Sequence, residues 1–220
     1  MKKIRKAYIL NIAIVIFEIF ALAWMMSGIN GGVLSASKLK MLIYFTVDSN
    51  ILMGIIAFIV ALDERKVLNN QKSELSVSSY VLKLIGTVGV TLTMLVTVFF
   101  LAPTMGPKFG YAGLFLYSNF FLHLLNPILS IIVFLFYEKT SKISFKYTFT
   151  GIIPMLLYTI YYVTETLTHT QNGVISEGYD WYGFLVFGIK SIFIVIPILV
   201  SITYLISYLL WKINKLKEKK

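Results

Sequence analysis

Six long apolar runs divide this chain, and they constrain its possible folds more than any other feature. Each run reaches the length of about 20 mostly apolar residues that a membrane-spanning helix needs. The runs are Tyr8–Ser27, Met41–Leu62, Tyr80–Ala102, Phe115–Tyr137, Tyr147–Thr166 and Gly183–Trp211. Of the 220 residues 58% are hydrophobic and 14% are charged, which is more apolar content than a soluble domain of this size can bury. The sequence therefore predicts an all-α integral membrane bundle of six transmembrane helices, in a single domain of residues 1–220.

The positions of Lys and Arg predict the orientation of this bundle. Counted over alternate connections, sixteen of the 20 lie on one side, including Lys83 at the start of the third run. Three lie on the other side, and Lys190 lies within the sixth run. Because cytoplasmic loops of membrane proteins are enriched in Lys and Arg, we expect both termini in the cytoplasm. The connections near Gly31, Pro103 and Gly173 are then outside.

The composition excludes several kinds of chemistry. With no cysteine, the chain has no disulfide, no thiol nucleophile and no Cys-based zinc site. A formal net charge of +10 favours nucleic acid in a soluble protein, but here the lysines flank apolar runs, where they contact lipid headgroups. We therefore expect no nucleic-acid partner, no metal and no cofactor. The Lys and Ile usage favours the plasma membrane of a bacterium.

Ionisable residues within the apolar runs mark the candidate site, because such residues are costly in lipid and commonly have a function there. They are Glu18, Asp48, His123, Glu165 and Lys190. From the helical rise of about 1.5 Å per residue, Thr46 lies about 8 Å and His123 about 12 Å below the outer ends of their helices. Glu18 and Lys190 lie at about 10 to 14 Å by the same measure. We expect a polar group in the outer half of the membrane and nothing comparable in the cytoplasmic half.

Helical periodicity places several polar side chains on shared faces, because positions three or four apart lie on the same side of a helix. One face of the fourth run carries Asn119, His123, Asn126 and Ser130, and one face of the second carries Thr46, Ser49 and Asn50. Asp48 points elsewhere, and Glu165 belongs to a strip of tyrosines that reaches His169. The side chains predicted to support an outward-facing pocket are Asn119, Asn126, Ser49, Asn50, Asp48 and Glu165. For any single Ser, Thr or Asn, a bond between neighbouring helices is the more common role.

Thr46 and His123 are the pair whose predicted depths allow nucleophilic catalysis. A Thr hydroxyl becomes a nucleophile when a neighbouring base accepts its proton, and a neutral imidazole is the usual base near pH 7. Asn119 or Asn126 can orient the imidazole or donate a hydrogen bond to an oxyanion. The pair by itself leaves a purely structural role open.

The stretches FTVDSNIL (Phe45 to Leu52) and HLLNPIL (His123 to Leu129) resemble the androgen-induced-protein superfamily of multi-span membrane proteins and its bacterial relatives. Animal members of that family are described as intramembrane threonine hydrolases that cleave fatty acid esters of hydroxy fatty acids. The resemblance implies that Thr46 is the nucleophile and His123 the base. It implies a lipid or lipid-like substrate, and an ester or amide of a bacterial lipid is equally compatible with it.

Glu18 and Lys190 are predicted to form a structural ion pair, since each alone is a charge in hydrocarbon. A role for Glu18 or Asp48 in holding the tautomer of His123 is the alternative. Either arrangement leaves Thr46 and His123 as the reacting pair.

Two readings of other classes remain open. A small transporter or ligand-binding membrane protein would use the same charged residues to relay protons or bind a polar solute, without any nucleophile. A metal site would use Glu165 and His169, whose spacing suits two ligands on one helix face, together with Glu177 or Asp180.

Overall fold

The computed structural model describes residues 1–29, 34, 36, 38–138, 143–185 and 187–218, and most of them are helical. The main helices are α1 (Lys2–Ser27), α2 (Phe45–Leu68), α3 (Val77–Phe109), α4 (Ser118–Tyr137), α5 (Ile153–Thr168) and α6 (Ile192–Glu218). Short 3-10 helices cover Lys38–Ile43, Ala112–Phe115, Phe145–Ile152 and Ile189–Ser191. A two-stranded antiparallel hairpin joins β1 (Thr170–Gln171) to β2 (Val174–Ile175). The predicted outer connection near Gly31 lies outside the described residues.

Five helical segments are long and apolar enough to cross a membrane, namely α1 to α4 and Ile189–Leu216, which contains most of α6. The predicted class of protein, an all-α integral membrane bundle, is confirmed at this level. The fifth predicted run is built differently, because α5 has only 16 residues and follows the 3-10 helix Phe145–Ile152 directly. Pro154 explains where the α-helix begins, since proline fits the first turn of a helix, where its missing N–H has no partner to lose.

Two predicted runs begin too early. The sixth run is predicted to begin at Gly183. Gly183 and Gly188, however, have φ angles of +67° and +92°, which an α-helix does not allow, and the α-helix begins only at Ile192. The second was placed from Met41, which belongs instead to a 3-10 helix that ends before an extended Tyr44. Apolar composition alone does not separate these turns from the helices that follow them.

Both ends of the chain lie at the same end of the bundle, which we call the terminal end. There Ile4 of α1 and Trp211 of α6 pack against a cluster that contains Leu75, before α3, and Ile143, after α4. At the opposite end, Met25 of α1 packs in a cluster with residues from the starts of α2 and α4. The helices therefore alternate in direction through the bundle.

Helix α3 lies at the centre and contacts α2, α4 and α6. Gly86 allows α3 to lie close to α2, because a Cβ atom there would lie 2.8 Å from Sδ of Met53 and the methionine would have to move. The approach of α2 to α1 is similar, because a Cβ atom on Gly54 would lie 3.0 Å from Cγ of Glu18. These close contacts fix the helices whose polar faces form the candidate site.

Helices α3 and α4 each widen into a π turn just before a proline. The turns cover Thr97–Leu101 and Phe121–Leu125, and Pro103 and Pro127 follow them. Each proline lacks the N–H that the carbonyl four residues earlier would accept, and this favours a wider turn. In α4 that carbonyl belongs to His123. Single π turns of this kind occur often at functional sites.

Candidate functional site

The candidate functional site is a cavity of about 310 Å³ at the opposite end of the bundle. Its polar lining includes Thr46 of α2, Asn119 and His123 of α4, and Tyr182. Its apolar lining includes Met25, Leu101, Met105 and Leu122. The structure thus brings the predicted pair, Thr46 and His123, to the same cavity.

His123 is held by a residue that the sequence analysis did not select. Its Nδ1 atom lies 2.8 Å from the hydroxyl oxygen of Thr97, and both side chains are buried. Each of the two residues belongs to a π turn, so the two wide turns face each other across α3 and α4. This contact occupies one ring nitrogen and leaves Nε2 without a hydrogen-bond partner among the described residues.

Thr46 is the second residue of α2 and is partly buried. Its carbonyl oxygen accepts hydrogen bonds from Oγ of Ser49 at 3.1 Å and from Nδ2 of Asn50 at 2.8 Å. No described residue forms a hydrogen bond with its side-chain hydroxyl. Thr46 also lines a second cavity, of about 40 Å³, whose walls include Leu92 and Val96 of α3. Thr46 therefore lies between the larger cavity, which has polar lining residues, and this smaller, mainly apolar cavity.

Asn119 is the supporting residue that the structure places in the cavity itself. Its side chain is only 1% exposed, and Nδ2 has no hydrogen-bond partner in the described part of the chain. A buried amide N–H without a partner is costly, and most such groups in folded proteins are satisfied. Asn119 therefore lines the cavity with an amide whose N–H donors are not used by the described residues.

Ser49 and Asn50 join helices and do not line this cavity. Oγ of Ser49 lies 3.1 Å from Oγ1 of Thr93 in α3, and Nδ2 of Asn50 donates to the carbonyl of Leu122 in α4 at 3.0 Å. Together they fix the start of α2, and with it Thr46, against the two helices that carry Thr97 and His123.

The predicted ion pair between Glu18 and Lys190 does not form. Oε2 of Glu18 instead accepts a hydrogen bond from Nδ2 of Asn126 at 3.0 Å, and both side chains are buried. Lys190 is exposed in the turn before α6, because that helix starts two residues later than the lysine. Salt bridges formed by the described residues include those of Lys72 with Asp63, Lys83 with Glu138 and His169 with Glu165. Asn126 is thus a partner of Glu18 and not part of the cavity lining.

Asp48 and Glu165 also lie outside the cavity. Asp48 faces a separate groove between α2 and α5, and Glu165, at the end of α5, lies 3.8 Å from Nδ1 of His169. Asp180, one of the proposed further metal ligands, is occupied: it accepts hydrogen bonds from the hydroxyl of Tyr162 and from the backbone of Phe184 and Leu185. Within the described ranges, no group of three or more potential metal ligands is found.

Tyr182 is a further residue of the cavity that the sequence analysis did not select. Its hydroxyl oxygen accepts a hydrogen bond from the backbone N–H of Phe45 at 2.8 Å, which satisfies the first turn of α2. Burial raises the pKa of Tyr182, so its side chain stays neutral. The neighbouring Trp181 donates a hydrogen bond from Nε1 to the hydroxyl of Tyr158 at 2.9 Å, which holds this part of the chain against α5. In the sequence, the pair Trp181-Tyr182 just before the sixth apolar run is the feature that could have pointed to this cavity residue.

A second buried polar cluster lies toward the terminal end of the bundle, which contradicts the expectation that this half has nothing comparable. Glu64 and Lys83 are 0% exposed and Glu138 is 3% exposed. Asn11 joins them: its Nδ2 donates to Glu64 at 3.0 Å and to Glu138 at 3.2 Å, and its Oδ1 accepts from Lys83. The sequence analysis placed Glu64 beyond its run and Lys83 near headgroups, but α2 continues to Leu68 and buries the glutamate.

No protein-family model, curated protein or solved structure matches this chain. The fold and the site themselves define the class of protein, an integral membrane helical bundle with a buried polar cavity near one end.

Proposed function

We propose that the protein is an intramembrane lipid-ester hydrolase with Thr46 as nucleophile and His123 as general base. One observation carries this proposal: Thr46, His123 and the unpartnered amide of Asn119 line one cavity of about 310 Å³. Nucleophile, base and oxyanion donor are the three groups that acyl transfer needs at one place.

The chemistry follows from these groups. Oγ1 of Thr46 attacks the ester carbonyl carbon while its proton passes to Nε2 of His123. Nδ2 of Asn119 donates a hydrogen bond to the oxyanion that develops. The imidazolium then protonates the leaving alcohol as the C–O bond breaks, which leaves an acyl ester on Thr46. His123 next takes a proton from water, the resulting hydroxide attacks this ester, and the carboxylic acid is released with Thr46 restored.

Thr97 positions the base in this scheme. With Nδ1–H of His123 donating to the hydroxyl of Thr97, the lone pair of Nε2 is available to accept the proton of Thr46. A general base must be neutral before it accepts the proton, and the scheme uses the neutral imidazole of His123.

The lining of the cavity favours a lipid as substrate. Polar groups lie on the side of Thr46 and His123, and Met25, Met105 and Leu122 supply apolar surface. Such a mixture suits an ester whose carbonyl lies between an apolar chain and a more polar group. Fatty acid esters of hydroxy fatty acids, or related lipids, have this character, and the scheme requires no metal or cofactor.

The proposal includes the topology. We place six spans in the membrane, counting α5 with its preceding 3-10 helix as one, and both termini in the cytoplasm of a bacterial cell. The shared position of both termini at the terminal end supports an even number of spans. The excess of Lys and Arg near that end supports its cytoplasmic location.

Hydrolysis of a panel of fluorogenic long-chain and branched fatty acid esters, by purified full-length protein in nanodiscs, tests the function. Thr46→Ala and His123→Ala should each abolish turnover, and the double variant should lose no more, because nucleophile and base act as a unit. Thr104→Ala and His169→Ala are matched controls, since these exposed or partly exposed residues lie outside the cavity. Full activity in a correctly folded Thr46→Ala variant would refute the assignment.

Transport is the second candidate function, and the cluster of Asn11, Glu64, Lys83 and Glu138 favours it. With the Glu18–Asn126 pair, this cluster puts buried polar groups at two levels of the bundle. Between them lies an apolar layer that includes Ile14, Met53 and Val90. Uptake of a polar solute or of protons by liposomes containing the protein, unchanged in Thr46→Ala, would favour transport over hydrolysis.

A further inference from the structure

A second concave space, a groove of about 300 Å³, lies between α2 and α5. Its walls include Phe45, Asp48 and Leu52 of α2 and Leu157, Tyr158 and Tyr161 of α5. The mechanism proposed for Thr46 uses none of the groups that give this groove its chemistry. The site stands whether or not Thr46 is a nucleophile.

Asp48 supplies a carboxylate without a partner in this groove. The side chain is partly buried, and no described residue donates a hydrogen bond to it or forms a salt bridge with it. No lysine, arginine or histidine lines the groove. Its place in the first turn of α2 stabilises a negative charge there but leaves the carboxylate oxygens free. A carboxylate at such a site is favourable only with a cation beside it.

Three aromatic side chains, Phe45, Tyr158 and Tyr161, line the same groove as Asp48. The ring centroids of Phe45 and Tyr158 are 5.2 Å apart, and those of Tyr158 and Tyr161 are 6.0 Å apart. Aromatic faces attract organic ammonium groups, and such rings together with a carboxylate are the usual elements of an ammonium site.

The groove is reached from the lipid side of the bundle. Leu157 in its wall is 63% exposed, and Ile55 and Phe58 on α2 and Ile160 on α5 are also exposed apolar residues. In a membrane these side chains contact acyl chains. A ligand that enters between them carries an apolar part.

We propose that this groove binds an organic ammonium group, of the kind that an aminated lipid headgroup carries, between the carboxylate of Asp48 and the rings of Tyr158 and Tyr161. The ammonium pairs with the carboxylate and lies against the ring faces, while the acyl chains lie along Leu157 and its lipid-facing neighbours.

Native mass spectrometry of the purified full-length protein in detergent tests this site. The probes are a short-chain phosphatidylethanolamine, a phosphatidylglycerol with the same chains, and free phosphoethanolamine as a soluble competitor. Asp48→Asn and Tyr161→Leu remove the charge and one ring. Glu177→Gln, at an exposed loop position, and Phe193→Leu, at an exposed ring of α6 outside the groove, are matched controls.

Wild-type protein should bind the ethanolamine lipid about tenfold or more tighter than the glycerol lipid, as expected for a desolvated ion pair with aromatic contacts. Asp48→Asn should remove this preference and Tyr161→Leu should reduce it, while both controls keep it. Competition by free phosphoethanolamine would show that the ammonium group alone is recognised, and binding without competition would show that the lipid chains are needed. Equal binding of the two lipids by wild type would overturn the proposal, and so would a preference that survives both Asp48→Asn and Tyr161→Leu.

Discussion

In the proposed mechanism, the contact with Thr97 leaves Nε2 of His123 available as the base. The hydroxyl of Thr97 lies 2.8 Å from Nδ1, and both side chains are buried, so no water competes for that atom. If this contact is lost, the ring can rotate or change tautomer, and Nε2 no longer presents its lone pair to Thr46. Thr97 is thus a positioning residue, which touches the base and not the substrate.

Thr97→Val should lower kcat by about tenfold, the effect of losing one buried hydrogen bond of about 1 to 1.5 kcal/mol, with little change in KM. Thr97→Ser retains the hydroxyl and should restore most of the rate. Ester hydrolysis at several pH values provides the measurement, because a mispositioned imidazole also shifts the pH profile of kcat. Thr104→Val, at an exposed threonine of the same helix, is the control. Wild-type kcat and an unchanged pH profile in Thr97→Val would show that Thr97 does not position His123.

Residue types and helical spacing predict part of the candidate site. Thr46, His123 and Asn119 do line one cavity, because each lies on a polar face of its helix. Thr97 lies in an apolar run, where a single threonine usually bonds its own helix, and no spacing rule marks it as a partner of His123. The pairing of Glu18 with Lys190 is wrong because it depended on where α6 begins, and two glycines delay that start.

At the scale of elements, the π turns in α3 and α4 direct Thr97 and His123 toward each other. Pro103 and Pro127 are visible in the sequence, but their effect on helix width depends on how the neighbouring helices pack. The same holds for the 3-10 helix before Pro154, which the sequence analysis treated as part of one regular helix. The all-α class and the five long apolar helices, by contrast, follow directly from the lengths of the apolar runs.

Replacement of Pro127 tests the role of the wide turn in α4. In Pro127→Ala, the new N–H can bond the carbonyl of His123 and tighten the turn, and an interior proline costs a helix about 3 kcal/mol relative to alanine. We therefore expect a higher Tm together with a lower kcat, since His123 rotates away from Thr97. Differential scanning fluorimetry and ester hydrolysis on the same sample provide both values. Pro197→Ala in α6, away from the cavity, is the control, and should leave kcat unchanged. An unchanged kcat in Pro127→Ala would show that the turn does not position the base.

At the scale of the whole molecule, the cluster around Lys83 joins three helices and the end of a fourth. Asn11 lies in α1, Glu64 in α2 and Lys83 in α3, and Glu138 directly follows α4. Lys83 forms a salt bridge with Glu138 at 3.9 Å and is linked to Glu64 through Asn11, so it is the cation that balances these carboxylates. The sequence does not predict this cluster, because its charged residues fall at or beyond the predicted ends of the apolar runs, where charged side chains normally reach water.

Lys83→Met should lower the free energy of unfolding by about 3 to 5 kcal/mol, because it leaves buried carboxylates without their cation. Adding Glu138→Gln should recover part of the loss, since the uncompensated charge is then removed. Lys72→Met breaks a more exposed salt bridge, with Asp63, and should cost less than about 1 kcal/mol. Unfolding in a mixed detergent system compares the three variants. Equal losses in Lys83→Met and Lys72→Met would contradict a buried ionic network.

The proposed orientation predicts which loops face the cytoplasm. The chain contains no cysteine, so single cysteines report position without background. Val174→Cys, in the hairpin at the opposite end, should react with a membrane-impermeant maleimide in intact cells, and Ser73→Cys, before α3, should react only after the cells are opened. The reverse pattern would show an inverted bundle, and reaction of both in intact cells would contradict an even number of spans.

If Thr46 is the nucleophile, acyl transfer passes through a covalent ester on its hydroxyl, and the position of that adduct can be measured. Purified protein in nanodiscs is treated with a lipophilic acylating probe for serine and threonine hydrolases, digested, and mapped by mass spectrometry. We expect one adduct, on Thr46. It should be absent in Thr46→Ala and strongly reduced in His123→Ala, and Thr104→Ala should be labelled like the wild type. An adduct on Thr97 or Ser49, or labelling of folded Thr46→Ala at the wild-type rate, would contradict this assignment.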